Sequence, residues 1–363
     1  MKSRRDITYL RLQRQGIAEP ASETPQDVVR RLVAIQAQDY LGSLWAIGLR
    51  MPNASEASVE QAIAEHRIVR TWPMRGTLHL VGAADVRWLQ RLLAPRVLAA
   101  NAARIERDYG LDEKVFNRCR KLVEKTLRDG KPITRNGLYQ ALDAARIATT
   151  HPRGINIIGQ LAQEGLICGG PREGRQPTFV LLDAWLPATP AKSREEALAE
   201  LSLRHIRSRG PVTAQDFAWW SGLTVRDAQA AYASVHSLVQ QDTIDGKAYW
   251  LSPDTELVAR PRKSVHLLPP FDEYLVGYKD RSAAIDPAFN RQVIGINGLV
   301  GASIVIDGRI VGTWKRSLGA DRVDIAWTLF RDLSRSERST IDVVARRYGR
   351  FLGRTATITE GPR

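Results

Sequence analysis

Apolar residues recur at three- and four-residue intervals along most of the chain, and polar residues between the runs mark where helices begin. Thr24-Pro25-Gln26-Asp27 supplies a capping hydroxyl, a proline at the first helical position and an acid at the third. Val28, Leu32 and Ile35 then predict the buried stripe of a helix. Ser193-Arg194-Glu195-Glu196 opens another helix, ending before Gly210. Ser334-Arg335-Ser336-Glu337 opens a further one, with Ile341, Val344, Tyr348 and Leu352 on one face.

The signals are densest in PVTAQDFAWWSGLTVRDAQAAY. Thr213 with Asp216 and Thr224 with Asp227 start two helices, and Ser221-Gly222-Leu223 is the turn between them. The second helix is expected to run to about Gln240, before TIDGKAYWL forms an Asp-Gly hairpin. Helix-turn-helix followed by a hairpin is the plan of a winged helix. Helical spacing reads Trp219 and Trp220 as core residues. A fainter copy has helices near Leu111–Asp129, in PITRNGLYQALDAA and near Gly154–Glu164, with ICGGPREGRQPTFVLL as its wing. The first third has the Thr24 helix, a helix near Ser55–His66 and TWPMRGTLHLV as its wing strand.

Beyond Val265 the period falls to two. SIVIDGRIVGTWKR is a hairpin around Asp307-Gly308, and RVDIAWTLF is another strand. The expected fold is therefore α+β and mainly helical. Three tandem winged-helix modules (1–100, 101–190 and 191–265) precede a small C-terminal β-barrel-like domain with one helix (266–363). The last boundary is expected near Arg260-Pro261.

One stretch resists the helical pattern. In AIQAQDY, Gln36 continues the stripe four residues after Leu32, but Gln38 and Asp39 fall out of register. A helix break near Ala37, helped by Tyr40-Leu41-Gly42-Ser43, would bring Gln38 beside Gln36.

Charge narrows the choice of partner. Across 363 residues, 53 Lys+Arg against 39 Asp+Glu leave a formal net charge of +14. The excess is distributed among all four segments, so folded surfaces carry it and a polyanion is the natural partner. No apolar run reaches membrane-span length, and the basic start MKSRRDITYLRLQRQG lacks the apolar stretch of a leader, reading instead as a first helix. Cys119 and Cys168 fit neither a disulfide framework nor a zinc site, so a cytoplasmic protein is expected. No Gly-rich loop or metal-ligand spacing is present, and no cofactor is expected.

In this order, AIQAQDY, TWPMRGTLHLV, GPVTAQDFAWWSGL and LLPPFDEYLVGYKDRS resemble the AlkZ/YcaQ-type winged-helix DNA glycosylases over nearly the whole chain. Gln36-Ala37-Gln38 matches the family's catalytic signature in its Gln-x-Gln form, as in the AlkZ-like branch. The resemblance implies tandem winged helices with a β-barrel, forming a concave surface for double-stranded DNA that carries alkylated or crosslinked purines. It also implies an N-glycosyl-hydrolysing repair enzyme, expected to be a monomer and, for want of a lysine beside the glutamines, monofunctional.

The residue types suit that chemistry. An N7- or N3-alkylated purine is already cationic before it leaves and needs little acid help, so a positioned water and dipoles facing the sugar can suffice. Gln36 and Gln38 offer neutral carbonyl acceptors. Asp39 either adds negative charge near the sugar, acts as base to the water, or only bonds nearby backbone and an arginine. No lysine adjoins the stretch to form a Schiff base.

For DNA contact, strand alternation puts Arg75, Thr77 and His79 on one face, where Arg75 and His79 either face the groove or bond nearby carbonyls. Arg172 and Arg175 at a wing tip and Arg309 at a hairpin turn are phosphate candidates. Asp272, Glu273 and Asp280 are read as braces for arginines such as Arg281. The alternative function is a non-catalytic winged-helix DNA-binding protein or regulator.

Overall fold

The computed structural model describes residues 4–21, 24–150, 152–255 and 264–360. Helices dominate, strands are grouped in sheets, and the class is α+β. The expected boundary near Arg260-Pro261 lies outside the described residues.

Capping chemistry sets the helix starts. The Thr24 hydroxyl accepts from Asp27 N with Pro25 first in the Pro25–Leu32 helix. Ser193 and Glu196 exchange bonds at the start of Arg194–Arg209, as Thr213 and Asp216 do before Ala214–Ser221. Ser334 and Glu337 form a capping box on Arg335–Phe351. Its buried face is Ile341, Ala345, Tyr348 and Phe351, so Ala345 replaces the expected Val344.

The chain divides into two compact units. The first gathers the described residues of Met1–Val59, Ala199–Trp220 and Thr224–Arg363. Its sheet has five strands in the order Thr355–Glu360, Arg322–Leu329, Arg309–Leu318, Ser303–Ile306, Val265–Leu268. The expected barrel is thus a single open sheet among the described residues. Against it the Arg335–Phe351 helix packs Tyr348 and Phe351 on Trp45, with ring centroids 5.0 and 5.2 Å apart. Trp45 and Trp314 donate their indole N–H groups to the carbonyls of Leu267 and Leu268, both at 2.8 Å.

Within the same unit, the Val225–Ser234 helix ends before the expected Gln240, where a short 3-10 turn, His236–Leu238, intervenes. The hairpin Gln240–Ile244/Lys247–Leu251 follows, turning through Asp245-Gly246.

The second unit comprises the described residues of Glu60–Leu198 with Ser221–Leu223. Its strands Thr77–Gly82, Ile68–Met74, Ile167–Gly169, Thr178–Leu181 and Ile133–Thr134 lie side by side in that order. A core of Trp72, Phe116, Leu138, Ile157, Leu161 and Phe179 joins the sheet to the Glu113–Thr126, Arg135–Ala144 and Arg153–Gln163 helices. Cys119 and Cys168 are both buried, and burial pushes their thiols up to about 11 and about 12, which keeps them unreactive.

Candidate active site

The Pro25–Leu32 helix stops three residues sooner than its apolar stripe predicts. Val33 has φ 67° and ψ −52°, with its N–H still on the Arg30 carbonyl. This is the rarer of the two γ-turn conformations, which a β-branched residue adopts only at a cost of about 1–3 kcal/mol. The chain leaves it extended through Ala34–Gln36. The expected break near Ala37 is therefore corrected to Val33, and Ile35 and Gln36 are not helical. The correction also removes the register problem, because helical spacing no longer applies past Val33: Gln36 ends the strand, Ala37 is buried and Gln38 stands at a bend. Gln36 Nε2 donates to Gln38 Oε1, so the two amides meet. Between them Ala37 is fully buried; Gln36 is 8% exposed and Gln38 is open to solvent.

Tyr40-Leu41-Gly42-Ser43 does not end a helix but begins one, Tyr40–Gly48, and Asp39 is its N-cap. Asp39 Oδ1 accepts from Gly42 N at 2.7 Å and from Arg316 Nη2 at 2.8 Å. Arg316 comes from the Arg309–Leu318 strand, and its side chain is only 14% exposed. Nothing in its local sequence marks it out.

Behind the strand lies a buried carboxylate. Glu273 Oε1 accepts Gln36 N at 3.0 Å, while Oε2 accepts from Arg209 Nη2 at 2.7 Å and from Trp220 Nε1 at 3.0 Å. Arg209 also donates to the Ala34 carbonyl at 3.2 Å. One ion pair with no exposed side-chain surface thus fixes the backbone on both sides of Ile35. Beside it Asp272 takes Arg50 through two bonds of 2.8 and 2.9 Å. Bracing arginines is the role expected of these acids, but the partners are Arg50 and Arg209. Arg281 instead donates to the Leu275 carbonyl and lies over the Trp219 ring. Trp219 corrects another expectation. It is 46% exposed, because neighbouring residues on one helix cannot both face the core; only Trp220 does.

Arg75, His79, Arg172 and Arg175 belong to the second unit. TWPMRGTLHLV is a hairpin rather than one strand. Arg75 (φ 53°) and Gly76 (φ 66°) form its two-residue turn, so Arg75 does not alternate with Thr77 and His79. His79 is fully buried, with Nδ1 2.9 Å from the Thr77 carbonyl and Nε2 3.4 Å from Arg75 Nη2. Arg172 pairs with Glu60 at 2.7 Å. Arg175 is exposed beside Gly174 in the wing turn, bracketed by the Glu173–Gln176 bridge. Arg309, in the first unit, is exposed just after the Asp307-Gly308 turn. Arg316 lies seven positions further along the same strand, roughly 20 Å away.

The model of the DNA glycosylase AlkZ-like family matches residues 29–351, which includes every residue of this site. The chain belongs to that family. As an AlkZ-like DNA glycosylase it is a hydrolase of N-glycosyl bonds in DNA, which displaces the alternative of a non-catalytic regulator. A curated relative, the interstrand DNA cross-link repair glycosylase of Streptomyces sahachiroi, is 26% identical over 332 residues, covering 86% of this chain and 87% of its own. The solved structure of Streptomyces sahachiroi DNA glycosylase AlkZ superposes with a TM-score of 0.77 at 23% identity, over 99% of this chain and all of that one. The AlkZ-like fold is therefore shared from end to end. Among the described residues no helix is long and apolar enough to cross a membrane.

Proposed function

We propose that this glycosylase excises N7- or N3-alkylated purines from double-stranded DNA and unhooks interstrand crosslinks, with Gln36 and Gln38 as its catalytic pair. The observation that carries the reading is the bond between the two amides, with Gln38 open to solvent and Gln36 backed by a buried carboxylate. The bond orients both groups. The Gln38 carbonyl has two acceptor positions, and Gln36 takes one of them. The other holds a water aimed at C1′ of the damaged nucleotide. That water adds to C1′ as the bond to the base breaks, and the bonding electrons neutralise the purine cation. The water's spare proton passes to solvent. Amide dipoles facing the sugar stabilise its developing positive charge without a strong acid.

Asp39 enters as a brace. Its carboxylate caps the next helix and holds Arg316, fixing the far end of the Gln-x-Gln segment. Arg175 and Arg309, exposed at turns, are proposed phosphate contacts, with Arg172 a weaker one because Glu60 competes for it. Arg75 and His79 support each other rather than DNA directly. Modules at 1–100, 101–190 and 191–265 are supported by the recurrence of helices followed by a hairpin, most clearly at 194–251. Crosslink unhooking is supported by the name of the Streptomyces relative and by the exposure of Gln38, since a crosslinked base cannot swing into a deep pocket.

The test uses duplexes bearing one N7-methylguanine or one purine–purine crosslink, with alkali to cut abasic sites. Wild type is expected to release both, and Gln38→Ala to release them about a hundredfold or more slowly while still binding DNA. Tight binding without release from either duplex overturns the reading.

A further inference from the structure

Residues 293–301 form a loop that the proposed pair does not use. Ile294 bridges Val300, Gly301 N donates to the Val293 carbonyl at 2.8 Å, and Gly295 N donates to the Leu299 carbonyl at 2.9 Å. Gly298 N returns to the Gly295 carbonyl at 2.9 Å, and Gly298 takes φ 72°. The loop is a short finger held by its own backbone. Its tip carries Ile296 with a relative exposure of 104%, and Leu299 beside it is 56% exposed. Turn tips in water favour Gly, Asn, Asp and Ser. Here Gly295, Asn297 and Gly298 supply that chemistry, yet an isoleucine stands among them with no apolar contact to gain.

The root of the finger sits on the scaffold of the candidate site. The Val300 carbonyl accepts Phe271 N at 3.1 Å, two residues before Glu273. The Ala302 carbonyl accepts Trp314 N at 3.2 Å, two residues before Arg316. Pro270 packs against Gly42, whose N–H caps onto Asp39. Arg291, exposed at the finger's base, supplies positive charge.

We propose that Ile296, backed by Leu299, is a wedge that enters the base stack of duplex DNA beside the nucleotide presented to Gln36 and Gln38. The proposal rests on the reading of that pair as the active site. Apolar side chains inserted at a base step partly unstack it and bend the duplex, which brings a damaged nucleotide out toward a surface group. Arg291 then meets the flanking phosphate. Because the finger is already ordered by its own hydrogen bonds, little conformational freedom is lost on insertion.

The experiment uses a duplex with one N7-methylguanine and 2-aminopurine as its neighbour, whose fluorescence rises on unstacking. Wild type and Gln38→Ala are both expected to raise the fluorescence, and Ile296→Ala to abolish the rise. Base release by Ile296→Ala should fall about tenfold or more, as expected for losing one buried aliphatic side chain. Its binding to undamaged duplex should stay at the wild-type level, and Ile296→Met should restore both signals. A wild-type protein that leaves the fluorescence unchanged, or a rise that survives Ile296→Ala, overturns the wedge. If Gln38→Ala releases base at the wild-type rate while the rise depends on Ile296, the wedge stands and the catalytic pair does not.

Discussion

The carboxylate of Glu273 reaches across 237 positions of sequence to hold the backbone N–H of Gln36 at 3.0 Å. Its other oxygen is committed to Arg209 and Trp220. Glu273→Gln cannot serve both sets of donors without turning an amide N–H toward one of them. It is expected to lower the single-turnover excision rate and to cost about 3–5 kcal/mol of stability, because Arg209 stays buried and charged. Pairing it with Arg209→Met should recover much of the stability, read by urea denaturation, but not the excision rate.

Gln38→Ala separates chemistry from folding. The side chain is exposed, so the melting temperature should hold. Excision should fall about a hundred- to a thousandfold, the usual loss when one preorganised dipole is removed. Wild-type rates from this variant would remove Gln38 from the mechanism.

Asp39 and Arg316 should be coupled. Asp39→Ala loses a helix cap worth about 0.5–2 kcal/mol together with its ion pair, and Arg316→Ala loses the pair and its bond to Tyr348 but keeps the cap. A double-mutant cycle on stability is expected to give a coupling of about 1 kcal/mol, since Asp39 is partly solvated. A coupling of zero would show that the pair braces nothing.

Acid should destabilise the fold through buried imidazoles. Burial pulls His266 down to about 4, with the nearby Arg347 and Arg50 acting in the same direction and Asp272 opposing, and it lowers His205 as well. The folded state refuses a proton that the unfolded chain binds at about 6.5. The His266 contribution is therefore fully present above pH 6.5 and is lost as pH falls toward 4, by about 3 kcal/mol. His266→Leu should flatten that part of the stability–pH curve measured by denaturant titration.

Arg175→Ala and Arg309→Ala should each weaken DNA binding regardless of sequence. Each should also reduce the slope of log affinity against log salt by about 0.9. Arg172→Ala is expected to change the slope less, because Arg172 must first leave Glu60. Equal slopes for all three variants would contradict these assignments.

Much of this architecture is legible in the sequence because capping is local. Thr24, Ser193, Thr213, Thr224 and Ser334 each announce a helix through an acid or amide bond that reaches only three residues ahead. The hairpins at Asp245-Gly246 and Asp307-Gly308 are legible for the same reason. What escapes is decided by distant contacts. The apolar stripe carries no sign that Val33 will take a positive φ, and so Gln36 reads as helical. The Asp272-Glu273 doublet stands out in an apolar stretch, but Arg50 and Arg209 are hundreds and tens of residues away among many arginines. Arg316 looks like any outward strand residue until Asp39 is found opposite it.

The bend at Val33 turns the spacing of the two glutamines into a rule of count. Once the helix has ended, what matters is that a single inward residue separates them; the side chain at position 37 only has to be small or apolar enough to sit inside. Deleting or adding one residue there would leave the composition of the segment intact and point one amide into the protein. A substitution at position 37 is thus expected to be tolerated where an insertion or deletion is not.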